Sequence, residues 1–242
     1  MHSKDFRMNA RSELNPNKHD VFVTGGSGYM GSRLIARLLE RGHRVRALVR
    51  SGSEKKLPAG CEAVLGDALD SSGYRDSVAP ADTFIQLVGV SHPSPSKAAA
   101  FRRIDLPSGL AAVSAAQHAP VRHFIYVSVA QPAPVMKAYI QVRAECEQAI
   151  KDSGLNATVL RPWYVLGPGH RWPYVLLPLY RVFEMLPSTR EGARRLGLVT
   201  LEQMILALIE AVENPATGMR VEGVPEIRAI SAKSTPQPRR TS

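Results

Sequence analysis

Two groups of residues in this 242-residue chain have types and spacings suited to chemistry. The first is Gly25, Gly26, Ser27, Gly28, Tyr29, Met30 and Gly31, which follows the apolar run Val21–Thr24. Gly26, Gly28 and Gly31 fit a Gly-x-Gly-x-x-Gly spacing. Gly25, Gly28 and Gly31, headed by Thr24, fit the related Thr-Gly-x-x-Gly-x-x-Gly form. One glycine permits a sharp strand-to-helix turn, a second lets backbone amides approach a pyrophosphate, and a third lets the helix pack close to the strand. The positive end of the helix then faces the phosphate charge. The alternative is a glycine-rich turn that binds nothing. The context favours the first reading, because the run follows a strand, opens an amphipathic helix and leads to a second strand. That strand ends Leu48-Val49-Arg50-Ser51, and no acid occurs between His43 and Ser53. A carboxylate there would bind the ribose 2′-hydroxyl of NAD. Arg50, with Lys55 or Lys56 nearby, offers a cationic fork for a 2′-phosphate, so NADP is expected over NAD. The plainer use of Arg50 is a solvated strand end. The second group is Tyr139 and Arg143, four apart and so on one face of a helix.

The elements that must position these residues are legible as alternating β-branched runs and helical patterns. Val21–Thr24, Arg44–Val49, Glu62–Leu65, Thr83–Val88, His123–Ser128 and Ala157–Arg161 read as strands. Met30, Leu34, Ile35, Leu38 and Leu39 share one helix face, with Gly42 at its stop. Pro107–Gln117, Ala138–Ser153 and Leu201–Val212 are further helices, the last opened by an N-cap at Thr200 and ended by Asn214-Pro215. Such alternation predicts an α/β fold of Rossmann type, a doubly wound parallel sheet with helices on both faces. The domain is expected over 20–230, between a tail at 1–19 and a disordered tail at 231–242. A small cap is expected over about 167–200, lying at the carboxyl edge of the sheet.

Composition narrows the class. The formal charge is +10, and the two ends carry +1 (residues 1–20) and +3 (residues 231–242). The remaining surplus is scattered, and no basic block interleaved with aromatics reads as a nucleic-acid platform. Two cysteines, Cys61 and Cys146, make neither a disulfide framework nor a four-ligand zinc site, so no metal is expected. No run of 18 apolar residues offers a membrane span, and the N-terminus lacks a secretory apolar region. A cytoplasmic globular protein is the expectation.

With these residues in place, the chain resembles the short-chain dehydrogenase/reductase superfamily, in its extended or atypical branch. It is similar there to NAD-dependent epimerase/dehydratase and NmrA-like proteins, over about residues 20 to 230. The resemblance implies that Asp67, in Gly66-Asp67-Ala68, contacts adenine, and that Leu87-Val88-Gly89 closes over the adenosine. It places Pro162, in Leu160-Arg161-Pro162, on the nicotinamide side. Tyr139 and Arg143 occupy the family's Tyr-x-x-x-Lys helix, where the tyrosine exchanges the substrate proton and the cation favours its phenolate. Ser128 stands at the strand end where the family holds the carbonyl oxygen. The sequence departs from the pattern twice: the cation is Arg143 instead of lysine, and Ser128 is followed by Val129-Ala130. Tyr139 as a packing aromatic, and Arg143 paired with Glu147 at i,i+4, are the structural alternatives.

Residues 173–187 are apolar apart from Arg181 and Glu184, with His170 and Arg171 just before them. They suit a hydrophobic substrate pocket, a partner or membrane surface, or helices burying their own faces. Two functions follow from the resemblance. One is an NAD(P)(H)-dependent oxidoreductase acting on a small or hydrophobic carbonyl or alcohol. The other is a non-catalytic NADP-binding sensor or assembly protein, as in NmrA-like regulators or the accessory subunit of respiratory complex I. Relatives that dimerise through the helices over 107–117 and 138–153 make a homodimer a further expectation.

Overall fold

The computed structural model describes residues 18–119, 121–133, 135–167 and 196–234. Its strands are β1 (Asp20–Thr24), β2 (Arg44–Val49), β3 (Glu62–Leu65), β4 (Thr83–Gln86), β5 (His123–Val127), β6 (Ala157–Arg161), β7 (Tyr164–Leu166), β8 (Leu198–Thr200) and β9 (Met219–Gly223). Seven of them form one sheet in the order β3-β2-β1-β4-β5-β6-β9, with every neighbouring pair parallel. The short β7 and β8 pair in parallel as a separate sheet. The five longer helices among the described residues are α1 (Tyr29–Glu40), α2 (Leu106–His118), α3 (Lys137–Asp152), α4 (Leu201–Glu213) and α5 (Val224–Ser234).

The alternation of side chains along each strand divides the core in two. Val21, Val23, Ile85, Ile125 and Leu160 pack with Leu34, Ile35 and Leu38 of α1 and with Met204, Leu208 and Val212 of α4. Their strand neighbours Phe22, Phe84, Phe124, Tyr126 and Val159 pack on the other face with Ala112, Ala116, Cys146 and Ile150 of α2 and α3. Burial on both faces is why these strands read as continuous apolar runs. Gly42 ends α1 at φ +85°, a left-handed residue after the last turn. Thr200 and Gln203 form a reciprocal capping box at the start of α4.

The structure differs from the sequence reading at the edges. β4 stops at Gln86, so Leu87 and Val88 are loop. β9 is an extra edge strand whose alternating Arg220, Val221 and Glu222 carry no apolar run to announce it. Its identity comes from pairing with β6, with Ala157 opposite Met219 and Arg161 opposite Gly223. α5 runs to Ser234, past the tail boundary expected at 231. Residues 168–195, which hold His170, Arg171 and the apolar stretch 173–187 of the expected cap, lie outside the described residues. No helix among the described residues is long and apolar enough to cross a membrane.

The sheet order reverses between β1 and β4. In a parallel sheet this reversal opens a crevice at the strands' carboxyl ends, because successive crossovers leave toward opposite sides.

Candidate functional site

A cavity of about 610 Å³ occupies that crevice. Gly25, Ser27 and Gly28 of the β1–α1 turn form one wall, and Leu48, Val49 and Arg50 at the end of β2 form the next. Gly66, Asp67, Ala68 and Leu69 follow from β3, and Leu87 to Ser91 from β4. Lys97, Ala100 and Ile104 close it from the helical segment before α2.

The glycines are required by space as well as by conformation. Gly25 sits at φ +78°, and a Cβ there would stand 2.9 Å from the Leu87 carbonyl carbon and the Val88 nitrogen. A Cβ on Gly31 would collide with the Gly25 carbonyl oxygen, so α1 can lie this close to the turn only without one. Gly26 faces away from the cavity, with Ile35 and Ala47 each 2.8 Å from a would-be Cβ. Gly28 caps α1 in an extended conformation, with no side-chain cap and no acid in the first turn. The first-turn amides and the positive helix end are thereby available to an anion. A glycine cradle, an uncapped helix and a slot between β2, β3 and β4 fit a dinucleotide whose pyrophosphate lies over α1.

Charge around the cavity is mostly cationic. Arg50 is exposed and makes no side-chain hydrogen bond or ion pair among the described residues. Lys55 and Lys56 are exposed and lie outside the lining. The second lining cation is Lys97, whose Nζ donates to the carbonyls of Ser91 (2.7 Å) and His92 (3.0 Å). Asp67 is the lining acid among the described residues, its Oδ1 accepting from the Leu69 amide at 2.9 Å.

Tyr139, Arg143 and Ser128 do not line this cavity. Tyr139 is half-buried on α3, its ring 4.9 Å from that of Phe101 and 5.0 Å from the Arg143 guanidinium. Arg143 is buried, donating to Asp105 (2.6 Å), the Val127 carbonyl (2.9 Å) and the Tyr126 hydroxyl (3.2 Å). Burial opposes its charge, but the oxygens of Tyr126, Tyr139 and Asp105 push its pKa above the ordinary arginine value. Burial in turn pushes the Asp105 carboxyl up, against the opposing pull of Arg143 and the Val90 amide. Ser128 is buried and donates its hydroxyl to Glu147. Glu147 also accepts from Gln131 and Arg161, so it binds α3 to the ends of β5 and β6. The i,i+4 pair of Arg143 with Glu147 is therefore not formed, because each turns to a stronger partner on another element. Pro162 is buried and its carbonyl accepts from the Ala130 amide at 2.9 Å; with Tyr29 and Met30 it lies outside the lining.

Sequence reasoning missed Lys97, Ile104 and Asp105. Lys97 and Ile104 belong to no motif and enter only through the packing of their segment. Asp105 did carry a signal, a lone acid between Ile104 and Leu106 and four residues after the apolar Phe101.

Comparison with known proteins agrees with this geometry. The model of the family described as NAD(P)H-binding matches residues 25–176. The chain is 29% identical over 227 residues to a Streptomyces 3-diazoavenalumate denitrifying reductase, covering 82% of this chain and 73% of that protein. It is 26% identical over 145 residues to the photosystem II assembly factor Ycf39 of Cyanophora paradoxa, covering 58% of this chain and 44% of that protein. Among the first curated relatives it matches, the chain spans between 50% and 73% of their length. The Bordetella bronchiseptica enzyme WbmH, solved with NAD+, superposes with a TM-score of 0.63 at 21% identity. That alignment covers 91% of this chain and 84% of WbmH, and shows a shared Rossmann-type fold.

Proposed function

This chain belongs to the NAD(P)H-binding family, and on that footing we propose that it is an NADP-dependent reductase of the short-chain dehydrogenase type. Its substrate class is a small or hydrophobic carbonyl compound. The observation that carries the cofactor assignment is the cavity at the β1–β4 reversal, with an uncapped α1 on one side and, at the end of β2, Arg50 without a partner among the described residues. The glycine turn and the first amides of α1 would hold the pyrophosphate. Asp67 and Ala68, opposite Leu87 to Gly89, would hold the adenosine, and the Arg50 guanidinium would take the 2′-phosphate as a planar fork.

The bound dinucleotide would supply the hydride. The chain's own part is to orient the substrate and to deliver a proton to its oxygen. Tyr139 is the group proposed to do so, from its hydroxyl, with the buried Arg143 charge 5.0 Å from its ring. An arginine keeps its proton, so it supports the phenol electrostatically and does not pass protons on. Ser128 is committed to Glu147, so a substrate oxygen would rely on Tyr139.

That commitment of Ser128, together with the enclosure of Arg143 by Asp105, favours a second reading. In it the chain binds NADP and signals or assembles without turning it over.

One series of titrations separates these. NADPH and NADH are titrated by fluorescence into the unaltered protein and into Arg50→Glu. Tighter NADPH binding that weakens at least about tenfold in the variant is expected, since a lost charge-assisted hydrogen bond costs about 1.5–3 kcal/mol. Equal binding of both dinucleotides would remove the 2′-phosphate assignment. Binding followed by NADPH oxidation with one member of a carbonyl panel supports the reductase. Binding with no oxidation across the panel supports the second reading.

A further inference from the structure

At Gly89 the wall between the cavity and the protein interior is one backbone thick. A Cβ there would stand 2.5 Å from Arg143 Nη2 and 3.1 Å from Asp105 Oδ1, while Gly89 and Val90 both line the cavity. Asp105 lies behind them with its side chain fully buried, at the end of a π-helical turn (Phe101–Asp105) that leads into α2. Single π turns are uncommon and concentrate at functional sites.

The two carboxylate oxygens have different partners. Oδ1 accepts from Arg143 Nη2 at 2.6 Å, and Oδ2 accepts from the Val90 amide at 3.0 Å. Arg143 in turn donates from Nη1 to the Val127 carbonyl and the Tyr126 hydroxyl. One carboxylate thereby fastens the loop after β4 to α3 and to the end of β5. The links of Arg143 to Asp105 and to the Tyr126 hydroxyl are buried and the other two are partly so; an unmatched donor or charge there is costly, and the geometry is correspondingly well determined.

We propose that Asp105 is a positioning residue for the dinucleotide, holding the Gly89–Val90 wall where the adenosine half packs without touching the cofactor itself. The proposal rests on the assignment of the adenosine half to this cavity.

Asparagine nearly matches aspartate in shape but presents one acceptor oxygen and one donor amide. Facing two donors, Arg143 and the Val90 amide, Asp105→Asn must leave one of them unmatched. The experiment titrates NADPH and 2′,5′-ADP into the unaltered chain, D105N and the double variant D105N/R143M. Each titration is run at a temperature where circular dichroism shows that variant fully folded.

D105N is expected to weaken both ligands in step, by about tenfold or more. In the double variant the buried cation is gone, and the introduced asparagine can accept from the Val90 amide through its side-chain oxygen, so 2′,5′-ADP affinity largely returns. Unchanged 2′,5′-ADP affinity in D105N overturns the proposal. So does a loss confined to NADPH, which would place the effect at the nicotinamide half, and so does a folded double variant as weak as D105N. If D105N does not fold, Val90→Pro removes the amide hydrogen that Asp105 accepts, and Val90→Ala, which keeps that amide, controls for the lost lining side chain. A parallel loss in the proline variant beyond that of the alanine variant is then expected, and undiminished affinity overturns the proposal. Should the unaltered chain bind neither ligand, the cavity assignment itself fails, a result distinct from any of these.

Discussion

Tyr139 is held between an aromatic ring and a buried cation, and a single oxygen distinguishes its two uses. Phenylalanine keeps the contact with Phe101 and the packing over Arg143, and loses only the hydroxyl. In Tyr139→Phe we therefore expect NADPH affinity to stay within about twofold, since no cavity-lining atom changes. Steady-state NADPH oxidation should fall at least about 100-fold if the hydroxyl delivers the proton. Undiminished oxidation would leave Tyr139 a packing residue. The neighbouring arginine is not interchangeable with lysine here. Its planar fork serves Asp105, the Val127 carbonyl and the Tyr126 hydroxyl together, three partners on two segments that one ammonium nitrogen could not span with the same reach. The Tyr139–Arg143–Glu147 spacing was readable as one helix face. The partners of Arg143 and Glu147 were not, because Asp105 is 38 residues from Arg143 and Arg161 is 14 from Glu147.

The β1–turn–α1 unit carries the strictest local requirement. Gly31→Ala would press a methyl group into the Gly25 carbonyl and within 2.8 Å of the Gly26 Cα, both backbone atoms that cannot rotate away. Either α1 lifts from β1 or the turn reshapes, and both displace the amides that face the cavity. We expect a loss of stability of about 1–3 kcal/mol, as for an overpacked interior. We also expect dinucleotide binding to become undetectable in the range where the unaltered protein saturates. Thermal melting and the NADPH titration measure the two effects separately, and a variant that melts lower yet binds normally would remove the turn from the site. The helix that supplies Tyr139 is anchored differently. α3 is tied near its middle by two ion pairs, the buried Arg143 to Asp105 and the partly buried Glu147 to Arg161, so it is referred both to the wall of the cavity and to the end of β6. This element was foreseen over Ala138–Ser153 and is found over Lys137–Asp152, a difference of one residue at each end.

Across the whole molecule, buried histidines make stability sensitive to mild acid. His123, at the start of β5, is buried and shares a 3.0 Å contact with Thr158 Oγ1. Burial, aided by the charge of Arg220 and by the neighbouring His19, brings its pKa down to about 4. The folded chain therefore keeps His123 neutral while the unfolded chain protonates it near the ordinary value of about 6.5. Its contribution is complete above pH 6.5, erodes as pH falls, and is gone once pH passes the folded value near 4, a total of roughly 3 kcal/mol. Asp82 acts lower: burial raises its carboxyl, but hydrogen bonds from His19, Thr83 and Arg122 more than offset this and hold it at about 2. Its share is complete above about pH 4 and is lost only toward pH 2. Melting temperature should thus fall first between pH 6.5 and 4, and His123→Asn, which cannot titrate, should flatten that fall. An unaltered slope in the variant would assign the acid sensitivity elsewhere, His43 being the next candidate because burial lowers its pKa too, against the opposing pull of Glu213. At this scale the division between sequence and structure has a physical basis. The parallel α/β class, the glycine turn, the α1 face and the Thr200 cap were legible because backbone conformation, side-chain periodicity and capping are set within a few residues. β9 was not, since a short polar edge strand is defined by the neighbour it pairs with. The cavity lining from Lys97 to Ile104, the turning of Ser128 toward Glu147 and the joining of Asp105 to Arg143 depend on where distant elements meet. Buried charges take whichever partner the packing brings within reach, and only the folded chain decides which that is.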